Sequence, residues 1–374
     1  MHSLLSLLIS SVLGFLLVLS SAQACTGGAL VTKDGAVVSG RTLEFATPLN
    51  SDVVVHPVGS LFQGDTPKGP KTGKEFIAKY GFCGMDAFGQ RDAIVEGLND
   101  QGLSVGLFYF PGTADYMKDN PAKYQQGLSP IQLGTYLLAS CKNVEEIKQA
   151  IEAVSVLPVY LEALKQVPPV HFKVIDASGQ CIVIEPLGGE LKVFDNPVRC
   201  LTNSPEFTWH LTNLTNYVTQ SPDYPKSQDI NGLSIAPNGM GAGMAGLPGD
   251  FTPPSRFVRI TAFTSSAPTQ PNVDTATATL FHILNNFDIP PGSARTASGM
   301  KGLDGYDYTT WTSVSDLQNK RFFWKTYGDQ NIRTINLTKS LAEGKFLVLD
   351  LPNQDASSVG TAIDMTGKLS ATGQ

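Results

Sequence analysis

Cys25 follows Ala22-Gln23-Ala24, and a cut after Ala24 would make it an N-terminal residue carrying both a thiol and a free α-amine. A cysteine thiol, with an ordinary pKa of about 8.5, is only a few per cent thiolate at neutral pH and needs a base. The α-amine, at about 7.7 to 8.0, is such a base, and on an N-terminal cysteine it is already tethered to the thiol. Hydrolysis of an amide also needs hydrogen-bond donors for the oxyanion and a group that orients the amine. Asn203, Glu44, Arg41 and Arg256 have side chains of the right type for those tasks.

The cut itself is predicted by the residues before it. Residues 4–19 form an uncharged apolar run, followed by small residues and the Ala-x-Ala site. That pattern reads as a secretory signal peptide over residues 1–24, too short to favour a transmembrane anchor. The segment before the run holds no Lys or Arg and only His2, so the amino terminus must supply the positive charge. The expected product is an exported protein, periplasmic or secreted, with one domain over residues 25–374. The rival reading is a lipoprotein cysteine on a non-catalytic, lipid-anchored envelope binding protein. Ala22 and Gln23 depart from a lipobox, which wants Leu near the third position before the cysteine.

Composition narrows the chemistry. A formal charge of -6 argues against a nucleic-acid partner, because phosphate binding calls for a basic surface. No later apolar run is long enough to span a bilayer, so no stable membrane insertion is expected. Five cysteines leave one over, and Cys25 is assigned as the free thiol. Cys83, Cys141, Cys181 and Cys200 are open to bridging or to burial as apolar thiols. Without Cys-x-x-Cys or His-x-x-x-His spacing, neither a metal nor another cofactor is expected. A Cys-His dyad through His171, His210 or His282 is the weaker alternative to the α-amine, and His210 reads better as a packing or hydrogen-bonding residue.

The elements that must position these residues are legible in outline. Cys25 to Thr32 and Ala36 to Phe45 read as a hairpin turning at Lys33-Asp34-Gly35. With Asp34 and Gly35 as the loop, Cys25 falls opposite Glu44, and Arg41 falls opposite Gly28 on the other face. Leu103 to Phe110 is apolar on both faces, which implies a layered fold. Ser129-Pro130-Ile131-Gln132 and Asn143 to Glu146 open two helices with capping signals. Short strands are predicted at His171 to Ile175, Cys181 to Glu185, Glu190 to Phe194 and Arg199 to Thr202, the last delivering Asn203. Residues 59–74 and 225–250 read as loops, and Thr252-Pro253-Pro254 opens a helix that carries Arg256. Strand-like segments around Thr310 to Val314, Arg321 to Thr326 and Phe346 to Leu349 complete what reads as one shared core.

Several blocks, in order, carry a resemblance: Cys25-Thr26, Gly40-Arg41-Thr42-Leu43-Glu44-Phe45, Leu107-Phe108-Tyr109-Phe110-Pro111-Gly112, Leu201-Thr202-Asn203-Ser204-Pro205, Trp209-His210-Leu211-Thr212-Asn213-Leu214, Pro254-Ser255-Arg256-Phe257-Val258-Arg259 and Trp311-Thr312-Ser313-Val314-Ser315-Asp316. Together they resemble the choloylglycine hydrolase family of conjugated bile acid hydrolases and penicillin V acylases. The resemblance implies an α+β fold, the four-layer αββα sandwich of N-terminal nucleophile hydrolases, and a homotetramer. It also implies roles: Cys25 as nucleophile, its α-amine as base, Arg41 supporting the thiolate, and Glu44 holding the amine. Asn203 and the Tyr109 backbone N–H would meet the oxyanion, and Arg256 would stabilise charge near the nucleophile. Glu44 departs from the Asp of the best-known members, and Tyr109 tilts the reading toward the acylases. The expected substrate is a small N-acyl amide, with phenoxyacyl amides of the penicillin V type first, then N-acyl homoserine lactones, then conjugated bile acids. Phe82, Met85, Phe108 and Phe110 are the expected lining of the acyl pocket.

Overall fold

A computed structural model describes residues 24–46, 49–295, 305–352 and 354–355. The predicted leader, Ala22 and Gln23 included, lies outside the described residues apart from Ala24. Two antiparallel sheets face each other. The smaller runs in the order Cys25–Val31, Val37–Glu44, Thr309–Asp316, Arg321–Thr326 and Arg333–Asn336. The larger runs in the order Glu190–Asp195, Cys181–Leu187, Val170–Ile175, Ser104–Tyr109, Glu96–Asn99, Phe82–Met85, Val53–His56 and Leu347–Leu349.

Both sheets are covered outside. Helices Pro253–Ser266 and Val273–Leu284 pack Phe257, Ile260, Leu280 and Leu284 onto the smaller sheet. Helix Leu133–Ser140 covers the larger one, with Leu138 against Gly97. The result is the αββα sandwich, in which every residue of Val37–Glu44 is buried, as a strand covered on both faces must be. Gly40 is required by a close approach, since a Cβ there would stand 2.7 Å from Ser313 O.

The hairpin corrects the predicted register by one residue. Cys25 pairs with Leu43, Gly27 with Arg41 and Val31 with Val37, so Cys25 is not opposite Glu44, nor Arg41 opposite Gly28. The turn is the cause: Thr32 N–H donates to Ala36 O at 2.9 Å, and Lys33, Asp34 and Gly35 form a three-residue loop with Gly35 at φ +83°. A three-residue loop ending in a left-handed glycine competes with the two-residue Asp-Gly turn and adds one residue to the count. Because side chains alternate along a strand, the one-residue shift exchanges faces. Arg41 joins the face of the Cys25 thiol, between the sheets, and Glu44 moves to the face toward the helix of Arg256.

Smaller differences have local causes. Ser129 and Gln132 form the predicted capping box, but the first turn they open is a 3-10 turn. Thr252 stands at the N-cap of its helix without capping through its own oxygen, and Asp250 instead accepts from Thr252 N at 2.9 Å and Ser255 Oγ at 2.7 Å. The stretches read as loops hold short strands: Leu61–Gln63 in the first pairs with Glu75–Ile77 just beyond it, and in the second Gln228–Ile230 pairs with Leu233–Ile235. Arg199 to Thr202 is not a full strand but a single bridge, Leu201 to Gly27.

Candidate active site

That single bridge assembles the site. Cys25–Val31 is an edge strand, and an edge offers unpaired N–H and C=O groups. Gly27 N donates to Leu201 O at 2.8 Å and Leu201 N to Gly27 O at 3.1 Å. Continuing the antiparallel pairing by two residues brings Asn203 level with Cys25. The Asn203 carboxamide is then held at three points: its Oδ1 accepts from Cys25 N at 2.9 Å and Arg256 Nη2 at 2.7 Å, and its Nδ2 donates to Tyr109 O at 2.7 Å. Arg256 also donates from Nη1 to Cys25 O and Thr26 Oγ1, and from Nε to Phe251 O.

Cys25 thus meets a different group in each direction. Its nitrogen leaves the sheet edge toward Asn203, and its thiol faces the space between the sheets. On that same face the Arg41 guanidinium lies 4.2 Å from the Phe108 ring centroid and donates to Leu107 O. Glu44, on the other face, accepts from Thr309 Oγ1 at 2.8 Å through Oε1, while its buried Oε2 has no hydrogen-bond partner.

Burial dominates the electrostatics. It pushes the Cys25 thiol above its ordinary pKa, with Arg41 and Arg256 pulling down and Glu44 pushing up. A buried thiol in this position ionises only if its proton has a destination. Burial likewise lifts Glu44 to about 8 against the pull of Arg256, and lowers Arg256 to about 10 against the pull of Glu44. Two carboxylates overlooked in the sequence join this set. Glu96, between the sheets, is raised to about 7 by burial against Arg41 and Lys173. Asp307, near Arg256, is raised to about 7, and neither of its oxygens has a hydrogen-bond partner. Neither residue lies in a recognisable motif: Glu96 comes near Arg41 across the facing sheets, and Asp307 near Arg256 of the helix packed on the smaller sheet.

An apolar cavity opens beside the thiol, lined by Cys25, Leu43, Phe45, Val95, Leu107 and Tyr109 among others. Phe45 and Tyr109 meet edge to face, with centroids 6.1 Å apart. The predicted pocket residues are not among its lining. Phe82 stacks on His56 in the core, Met85 is fully buried, Phe108 lies beneath Arg41, and Phe110 stacks on His171. Strand alternation explains the difference for the aromatic run: Leu107 and Tyr109 share the cavity side, and Phe108 and Phe110 point away. Cys83, Cys141, Cys181 and Cys200 are buried free thiols, none of which lines that cavity. Among the described residues no cluster of three His, Cys, Asp or Glu could hold a metal, and no helix is long and apolar enough to cross a membrane.

Residues 25–350 match the profile of the linear amide C–N hydrolases, choloylglycine hydrolase family. The chain belongs to that family. It is therefore a linear amide C–N hydrolase of the bile salt hydrolase and penicillin V acylase type. It is 33% identical over 314 residues to an uncharacterized protein of Paramecium bursaria Chlorella virus 1, covering 83% of this chain and 100% of that one. It is 32% identical over 325 residues to the bile salt hydrolase/transferase of Clostridium perfringens, covering 86% and 94%. A solved variant of the conjugated bile acid hydrolase from the same bacterium has a TM-score of 0.79 at 28% identity, over 91% of this chain and 99% of that one. The family hydrolase described here has its profile match beginning at Cys25, the residue at the sheet edge.

Proposed function

We propose that this hydrolase is exported, is cut after Ala24, and uses Cys25 as nucleophile with its α-amine as base. One observation carries the reading: the Cys25 thiol lines the apolar cavity while its nitrogen lies 2.9 Å from Asn203 Oδ1. In the uncut chain that nitrogen is an amide and cannot accept a proton. Cleavage turns it into an amine placed beside the thiol, and gives the thiol proton its destination.

The steps then balance. Cys25 Sγ bonds to the substrate carbonyl carbon as its proton passes to the α-amine. The oxyanion is met by the second N–H of Asn203 Nδ2 and by the Tyr109 backbone N–H. Collapse breaks the C–N bond, the ammonium returns the proton to the leaving nitrogen, and a thioester remains. Water, giving a proton to the α-amine, adds to the thioester; collapse breaks the C–S bond and releases the acid, and the ammonium returns its proton to Cys25 Sγ. Arg41 stabilises negative charge on the sulfur from the face between the sheets, and Arg256 holds both Asn203 and the Cys25 carbonyl. Glu44 and its Thr309 partner orient the amine from the opposite face.

The Phe45–Tyr109 pair and the apolar lining favour an aromatic acyl group, so phenoxyacyl amides of the penicillin V type stand ahead of N-acyl homoserine lactones and conjugated bile acids. The decisive experiment is intact-mass analysis of protein from an exporting host, together with hydrolysis of those three amides by the parent and Cys25→Ala. The expected result is a free N-terminal Cys25, hydrolysis of the phenoxyacyl amide, and none by the variant. A diacylated Cys25, or activity retained in Cys25→Ala, would overturn the mechanism.

A further inference from the structure

Two buried histidines with no part in the steps above meet the backbone on either side of Asn203. His171 Nε2 lies 3.1 Å from Thr202 O, and His210 Nε2 lies 2.8 Å from Asn203 O. A carbonyl oxygen only accepts, so each Nε2 carries the hydrogen. The rings come from different elements, His171 from strand Val170–Ile175 of the larger sheet and His210 from helix Phe207–Asn213. Each is stacked on a phenylalanine: His171 on Phe110 at 4.1 Å between centroids and His210 on Phe257 at 4.6 Å. Glu185 joins the two supports, with Oε1 3.0 Å from His171 Nδ1 and accepting the Phe207 N–H at 3.0 Å, at the start of the helix that carries His210.

We propose that His171 and His210 are positioning residues that clamp the backbone of Asn203 and so aim its carboxamide at the oxyanion. The inference rests on Asn203 acting as an oxyanion donor. Its physical content is the planarity of the peptide unit. Thr202 O and Asn203 O belong to the two peptide planes that meet at the Asn203 Cα, so fixing both carbonyls fixes both backbone dihedrals of that residue. The side chain is then set by Cys25 N, Arg256 and Tyr109 O. Without the clamp the carboxamide would follow a loop, and a displacement near 1 Å in a reacting group costs about 100-fold in rate. Burial draws His210 down to about 4, so near neutrality its ring is uncharged and suited to donate one hydrogen to a carbonyl. Phe110 and Phe257, both fully buried, hold the two rings in plane.

The test separates aiming from folding. His210→Asn keeps a polar side chain but is too short to place an N–H at the Nε2 position, whereas His210→Gln can reach it. His210→Asn is expected to lower kcat by roughly 10- to 100-fold with KM within about threefold, and His210→Gln to recover most of the loss. In an Asn203→Ala background, His210→Asn should cost less than about twofold more, because a residue acting only through Asn203 has nothing left to aim. A kcat within twofold in His210→Asn, or a full additional loss in the Asn203→Ala background, would overturn the clamp. Asn203→Ala with the parent's kcat would overturn the donor reading itself, which the single variant reports independently. If His210→Asn does not fold, His171→Asn makes the same test through Thr202 O. Failure of both to fold overturns the proposal in favour of a purely structural role.

Discussion

Replacing Asn203 by Asp isolates what the carboxamide does. The two side chains have the same shape, but the carboxylate has lost both N–H donors. In the folded protein one Nδ2 hydrogen is committed to Tyr109 O at 2.7 Å, which leaves one for a developing oxyanion. Removing one such donor costs about 2.7–4 kcal/mol in the transition state, or roughly 100- to 1,000-fold in kcat. The change in stability should be much smaller, because two effects oppose each other. An N–H···O bond to Tyr109 becomes a contact between two acceptors, costing about 1–3 kcal/mol, while the 2.7 Å bond from Arg256 Nη2 becomes charge-assisted, contributing about 1.5–3 kcal/mol. Asn203→Asp should therefore melt within a few degrees of the parent yet hydrolyse the phenoxyacyl amide at least about 100-fold more slowly. Initial rates at saturating substrate and thermal melts on the same preparations give both quantities. A folded Asn203→Asp protein with kcat within threefold of the parent would refute the donor role.

Other substitutions probe the surroundings. Arg256→Lys keeps the charge but cannot reproduce bonds from three guanidinium nitrogens to Phe251 O, Cys25 O, Thr26 Oγ1 and Asn203 Oδ1, and should lower kcat by at least about tenfold; parent-like rates would count against the hub. Glu96→Gln tests the buried carboxyl between the sheets. Its pKa is raised from 4.5 to about 7, so across that window the unfolded chain releases a proton that the folded chain keeps, and stability falls as pH rises. Measured by urea denaturation, the variant should gain on the parent by about 3 kcal/mol between pH 4.5 and pH 7, and parallel pH profiles would dismiss this account. Gly27→Ala would bring a Cβ to 2.7 Å from Phe108 Cζ, beneath Arg41. It should cost about 1–3 kcal/mol in chemical denaturation, and no loss would show that the ring can move aside.

The residue types of the proposed reaction and the layered fold are legible in the sequence because they are local. Cys25 stands where a cut would expose it, Ser129 and Gln132 spell a capping box, and Leu103 to Phe110 is apolar on both faces. Family blocks add Asn203, Arg41 and Arg256 to the list without saying how they meet. Tertiary structure decided the faces. A turn one residue longer than the Asp-Gly count put Arg41 on the thiol's side and Glu44 on the other, because side chains alternate at every step of a strand. The same alternation sent Phe108 and Phe110 away from the cavity that Leu107 and Tyr109 line. Glu96 and Asp307 carry no local signal, whereas His210 already reads as a packing or hydrogen-bonding residue in the sequence. Packing of the two sheets sets Glu96 near Arg41, and the helix laid on the smaller sheet sets Arg256 near Asp307. His171 meets Thr202 O 31 residues on, while His210 meets Asn203 O within seven residues by way of its own short helix.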